Sequence, residues 1–140
     1  MKAIVSLLLL AALVLGVSGC VSSQHAAQNE ALSVARVMAI NSSAALAGRK
    51  EPEARAMVSS IAGSPDVSFV LLFDQDQKLF ADYFPPGQTV RRNEVIAKVK
   101  ACLPIGADYF IDEPDEVIAI SRVEDSSRLQ GFVTVGVRKK

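Results

Sequence analysis

Aromatic residues make up only 6% of this 140-residue chain, and tryptophan is absent. A broad stacking platform for sugars or bases is therefore excluded. Histidine occurs once, as His25, with no carboxylate or cysteine at ligand spacing beside it. A Ser-His-Asp set, a Cys-x-x-Cys-His haem site and a His-based metal centre cannot be assembled, and no phosphate-cradling glycine loop is present. Lysine plus arginine and aspartate plus glutamate balance at fifteen each, so no general attraction to nucleic acid is expected. No catalytic residue, cofactor or metal is expected, and the chain does not read as an enzyme. Cysteine occurs twice, as Cys20 and Cys102.

The chain opens with cationic Met1-Lys2, an apolar run over residues 3–17, and the small residues Val17-Ser18-Gly19 directly before Cys20. Those three regions make a secretory signal peptide. A retained transmembrane helix needs roughly 20 apolar residues; the run is shorter, lacks a basic stop-transfer cluster behind it, and gives way to small polar residues over 21–28. The junction resembles the lipobox of bacterial lipoproteins. That resemblance implies removal of residues 1–19, palmitate-type acylation of Cys20, and a lipidated linker over residues 20–25. Each buried methylene contributes about 0.8 kcal/mol, and two or more chains give stable anchoring. Attachment to a membrane through lipid on Cys20, on the periplasmic face of the envelope, follows. Val21 in place of Asp implies the outer membrane where a cell has both.

With Cys20 acylated, Cys102 is the remaining thiol, and an internal disulfide is impossible. Its apolar neighbours Ala101, Leu103 and Ile105 favour an inert core cysteine over an intermolecular disulfide. About 120 residues remain after cleavage, enough for one domain with a real core, assigned here to residues 26–140.

Residues 24–47 are helix formers with a stripe of Leu32, Ala35, Met38, Ala39 and Leu46, flanked by Val34, Val37 and Ala44, at spacings of three and four. Gly48 is placed to end this helix in the left-handed conformation. The small-residue stripe also suits packing against a second copy, so a homodimer through the N-terminal helix is expected. Pro52, with Glu51 and Glu53, opens a second helix that Gly63-Ser64-Pro65 stops. Residues 67–74 form the clearest strand, with Val67, Phe69, Leu71 and Phe73 on one face and Ser68, Val70 and Leu72 on the other. Both faces are largely apolar, so the strand is expected at the sheet centre.

Asp74-Gln75-Asp76-Gln77 makes a turn into a strand over 78–83. Asp74 and Asp76 lack the later glycine and glutamate of a calcium loop. A helix capped by Thr89 or Asn93 runs through Val95, Ile96, Val99 and Cys102 to Pro104. Strands follow over 106–111, 116–123 and 131–138, the last two joined by a polar loop over 124–130. The fold class is α+β: a long N-terminal helix and a short helix packed on a central antiparallel sheet of about five strands, with the helices on one face.

The stretches "DVSFVLLFDQDQKLFADYFPPG" and "EVIAISRVEDSSRLQGFVTVGV", with the helical lead before them, resemble Cache-type, PAS-like extracytoplasmic sensor domains. Asp74 and Asp76 match the family's Asp-x-Asp-Gly turn, Gln77 stands where glycine is usual, and Gly131-Phe132-Val133 matches its closing strand. Profilin-like and roadblock-like folds are the structural alternatives. Cache domains usually sit between two membrane helices, whereas no second apolar span follows residue 138 here. Sensing would then act through a separate signalling or envelope protein, as yet unknown.

The resemblance implies a ligand between the sheet and the elements after the first hairpin. Tyr83, Arg91, Arg92, Tyr109, Asp112 and Arg122 are the candidate ligand-binding residues. An arginine fork holds a carboxylate bidentately, and tyrosines wall an apolar slot. The expected ligand is a small carboxylate, amino acid or amine. Arg122 shares its strand face with Ile118 and Ile120, although it is also placed for a strand-end pair with Glu124 or Asp112. The alternative function is an envelope interaction or structural lipoprotein with no small-molecule ligand.

Overall fold

A computed structural model describes residues 2–103 and 108–140, with side chains from Gln24 onward apart from residue 62. The lipidation expected at the Cys20 side chain, the helix stop at Pro104 and the strand start at Gly106 lie outside the described residues. Helix α1 (Lys2–Ala47) is followed by α2 (Glu51–Ser60) and a 3-10 turn (Ile61–Gly63). Then come β1 (Val67–Asp74), β2 (Leu79–Tyr83), α3 (Thr89–Cys102), β3 (Tyr109–Asp112), β4 (Glu116–Asp125) and β5 (Arg128–Arg138). The strands form one antiparallel sheet in the order β2-β1-β5-β4-β3. The expected α+β architecture is the one observed, and β1 is central, buried along its whole length.

The helices do not share one face. Val70 and Leu72 of β1, Val117, Ala119 and Val123 of β4, and Val133, Val135 and Val137 of β5 pack under α1 and α2. Phe69, Leu71, Phe73, Ile118, Ile120 and Phe132 point the other way, against Val95, Val99 and Leu103 at α3. Side chains of a strand alternate across the sheet, so a continuously apolar strand such as β1 needs a cover on each side, and α3 supplies the second. A register shift between Val67 and Phe69 puts Val67 in the α1–α2 cluster, opposite to the face expected for it.

On α1 the buried stripe is Ala27, Ala31, Ala35, Met38, Ser42 and Ala45, with Ala39 and Leu46 beside it. Leu32 is half-buried and Ala44 exposed, so the seam is one built on alanines, which lets the helix lie close to β4 and β5. Ser42 Oγ donates to the Met38 carbonyl at 2.6 Å, which satisfies a hydroxyl within that apolar seam. At the far end Leu46 rests over Gly131, where a Cβ would stand 2.9 Å from Leu46 Cδ1 and 2.0 Å from the Phe73 carbonyl oxygen.

The left-handed residue that ends α1 is Arg49, at φ 50°, not Gly48. Lys50 N donates to the Ala45 carbonyl at 2.8 Å and Arg49 N to that of Leu46 at 3.1 Å. Those two bonds make a Schellman motif, which puts the left-handed position one residue beyond the glycine.

Two further boundaries differ from the sequence reading. Helix α3 begins at Thr89, so Asn93 lies inside it, and Gln88 stands before it without a side-chain cap. Strands β4 and β5 extend to Asp125 and from Arg128. The expected seven-residue loop is thus a two-residue turn, with Ser126 at φ 48° and Ser127 at φ 67°. Ladder hydrogen bonding carries polar residues into the strands, which hydrophobic patterning does not register.

Candidate ligand cleft

A cleft of 520 Å³ lies between α3, the β3–β4 turn and the end of β5. Arg91, Glu94, Val95 and Lys98 line it from α3, Glu113, Pro114, Asp115 and Glu116 from the turn, and Arg138 and Lys139 from β5, over Ser68 and Ile118. At its back Glu116 is only 7% exposed. Ser68 Oγ donates to Glu116 Oε2 and Arg91 Nη2 to Glu116 Oε1, so each carboxylate oxygen has a donor. A buried carboxylate requires that satisfaction. Arg91 Nη1 also donates to Gln88 Oε1 at 3.0 Å.

Arg91 also packs on an aromatic pair whose rings do not line the cleft. Phe69 and Phe84 stack with ring centroids 5.1 Å apart and planes 8° from parallel, and the Arg91 guanidinium carbon lies 5.8 Å from the Phe69 centroid. That distance is within cation–π range. Gly136 makes the stack possible, because a Cβ there would stand 2.3 Å from Phe69 Cε1. Pro85, Pro86 and Gly87 (φ 82°) carry the chain from Phe84 into α3.

At the outer rim Lys98 Nζ pairs with Glu113 Oε1. Lys139 Nζ pairs with Asp112 Oδ1 at 2.7 Å and donates to the Glu113 carbonyl at 2.6 Å. Glu94, Asp115 and Arg138 line the cleft without a salt-bridge partner among the described residues. The cleft thus offers an apolar patch of Val95 and Ile118, an anchored carboxylate and charges of both signs, an arrangement suited to binding a small polar molecule. No group of three metal-ligating side chains occurs among the described residues.

Of the six residues the sequence reading singled out, Arg91 is in this cleft and Asp112 stands behind it, in contact with Lys139. Arg92 belongs to a different hollow, 320 Å³ in volume, with Tyr83 and Phe84. Arg92 Nε donates to Asp82 Oδ2 at 2.6 Å, and that hydrogen bond holds its pKa above the ordinary arginine value. Tyr83 packs at the edge of the α1–α2 cluster, and Tyr109 is an exposed residue of the edge strand β3. Arg122 Nη2 pairs with Glu124 Oε1 at 3.0 Å and lines a separate 500 Å³ hollow with Arg36, Asp108 and Ser121. The six do not converge on one site.

Sequence reasoning missed Ser68, Lys98, Glu113, Glu116, Arg138 and Lys139. A glutamate heading an otherwise apolar strand was a usable signal for Glu116. Cys102 is half-buried against the α3 cluster, with a free thiol.

The family described as CHASE8, a periplasmic sensor domain, matches residues 23–108. The match takes in α2, β1, β2, α3 and most of α1, and stops before β3 begins. Comparison with curated proteins gives no match.

Proposed function

Because the chain belongs to the CHASE8 family of periplasmic sensor domains, we propose that it is a lipid-anchored extracytoplasmic sensor that binds a small molecule in the cleft between α3 and the β3–β4 turn and acts through a partner protein. Glu116 carries this reading. A carboxylate held at the back of a 520 Å³ cleft by Arg91 and Ser68 is a positioned polar group beside an apolar floor. Ligand sites for small molecules commonly have this composition and span roughly 300–1,000 Å³.

Anchoring rests on the lipobox at Cys20, with the periplasmic face of the outer membrane as its destination. A sensory role in place of catalysis fits the family. The antiparallel sheet with its helices is consistent with a single Cache-like domain, and signal output passes to a second protein.

The test is thermal melting of the full chain in detergent micelles, followed by circular dichroism, against small carboxylates, amino acids and amines. A ligand at a hundredfold excess over its Kd adds about 2.7 kcal/mol of stability. A dose-dependent rise with one class that disappears in a folded Arg91→Met variant supports the reading. No shift with any class refutes it.

One observation favours a second reading, an envelope interaction lipoprotein without a ligand. Val37 and Ile40 on the outer face of α1 are 54% and 77% exposed. Val37 lines a 300 Å³ groove with Ser33, Val34, Ser60, Ile61, Ser64 and Val67, with no charged residue. Uncharged apolar surface of this kind suits a protein contact, including a homodimer through α1. A concentration-independent monomeric mass in micelles removes the homodimer.

A further inference from the structure

The β3–β4 turn touches helices on opposite faces of the sheet. Helix α1 covers one face and α3 the other, yet adjacent residues of this turn hold one each. Glu113 takes Lys98 of α3 on its side chain. Asp112 accepts a hydrogen bond from Gln24 Nε2 of α1 at 2.9 Å on Oδ2. Lys139 ties the two together, since its Nζ reaches Asp112 Oδ1 at 2.7 Å and the Glu113 carbonyl at 2.6 Å. Lys98, Glu113 and Lys139 also line the cleft, and Gln24 is four residues from Cys20.

We propose that occupancy of the cleft is reported to the membrane-proximal end of α1 through this turn, along Lys98–Glu113–Lys139–Asp112–Gln24. The proposal rests on the reading of the cleft as the ligand site. A ligand that engages Lys98, Glu113 or Lys139 competes with the contacts that set the turn, and the turn sets the Asp112–Gln24 bond. Side chains at this edge are partly solvated: Lys139 is 22% exposed and Asp112 46%. Each link is therefore weak enough for a ligand to shift. Transmission of this kind needs a ligand with different contacts in the two arrangements, and competition for the turn's ion pairs provides them.

The test uses the full chain in detergent micelles without ligand and reads amide hydrogen exchange over residues 21–31. Lys98→Gln, which removes a group touching neither Asp112 nor Gln24, is expected to speed exchange there about two- to fivefold, the change implied by loss of one partly exposed ion pair. Arg55→Gln loses an exposed ion pair with Glu51 within α2 and is expected to leave exchange unchanged. Added to Asp112→Asn, Lys98→Gln is expected to contribute nothing more, because the link is already cut.

Unchanged exchange in Lys98→Gln overturns the proposal. An equal rise in Arg55→Gln, or full additivity with Asp112→Asn, does so as well. If Lys98→Gln also loosens β1, Glu113→Gln cuts the same pair from the turn and decides the matter. Ligand is absent throughout, so a silent ligand screen removes the sensing reading while leaving this coupling standing. Unchanged exchange removes the coupling and leaves the cleft.

Discussion

The Phe69 ring lies across Gly136, so closely that a single added methyl would stand 2.3 Å from Cε1 and 2.7 Å from Cδ1. Phe69 is fully buried and stacked on Phe84, so it has no free direction in which to retreat. Gly136→Ala is expected to cost about 3 kcal/mol through overpacking, measured by urea unfolding. In a Phe69→Leu background the same substitution should cost less than half as much, because the clashing ring edge is gone. Equal costs in both backgrounds would refute the assignment.

Arg91 and Glu116 form a half-buried pair, with side-chain exposures of 36% and 10%. Arg91→Met leaves a buried carboxylate with only Ser68 as donor, and a loss of about 2 kcal/mol is expected, below the figure for fully buried pairs because Arg91 is partly solvated. Glu116→Gln added to Arg91→Met should recover part of that loss. A double-mutant cycle showing no coupling would mean that the pair is incidental to the fold.

The Ser126-Ser127 turn holds two residues at positive φ, 48° and 67°, between Asp125 and Arg128, which pair directly. Two-residue hairpins of this geometry favour Asn-Gly, and a left-handed residue other than glycine costs roughly 1–2 kcal/mol. Replacement of the serines by Asn-Gly is expected to raise stability by about 1 kcal/mol, seen as a higher urea midpoint with an unchanged slope.

Cys20→Ser removes the acceptor for acylation. The variant is expected to lose incorporation of labelled palmitate and to move from the membrane pellet to the soluble fraction. Unchanged labelling would exclude lipidation at this residue.

How much of this was legible in the sequence differs by element. Strand β1 was readable to the residue, because eight successive positions of high strand propensity are bounded by Pro65-Asp66 and an Asp-rich turn. Its inner phase was not, since the bulge at Val67–Phe69 depends on the partner strand. The face occupied by α3 was hidden for the same kind of reason: an amphipathic helix announces that it needs a sheet face, not which one. Among the site residues, Arg91 was found because the Cache resemblance points to the elements after the first hairpin. Lys98, Glu113 and Lys139 were not, since three charges far apart in sequence look like solvated surface until the fold brings them to one rim.

Strands β1 and β5 lie side by side at the sheet centre, with Val67 opposite Val137 and Asp74 opposite Gly131. The first strand to be made therefore waits for the last. Until residues 131–137 are available, Val70, Leu72 and their neighbours have β2 on one edge and an open ladder on the other. Such distant pairing slows folding, because loop closure precedes its reward. A nascent or translocating chain is accordingly open at its middle until the final strand arrives, and loss of that strand removes the seam around which both helical layers are assembled.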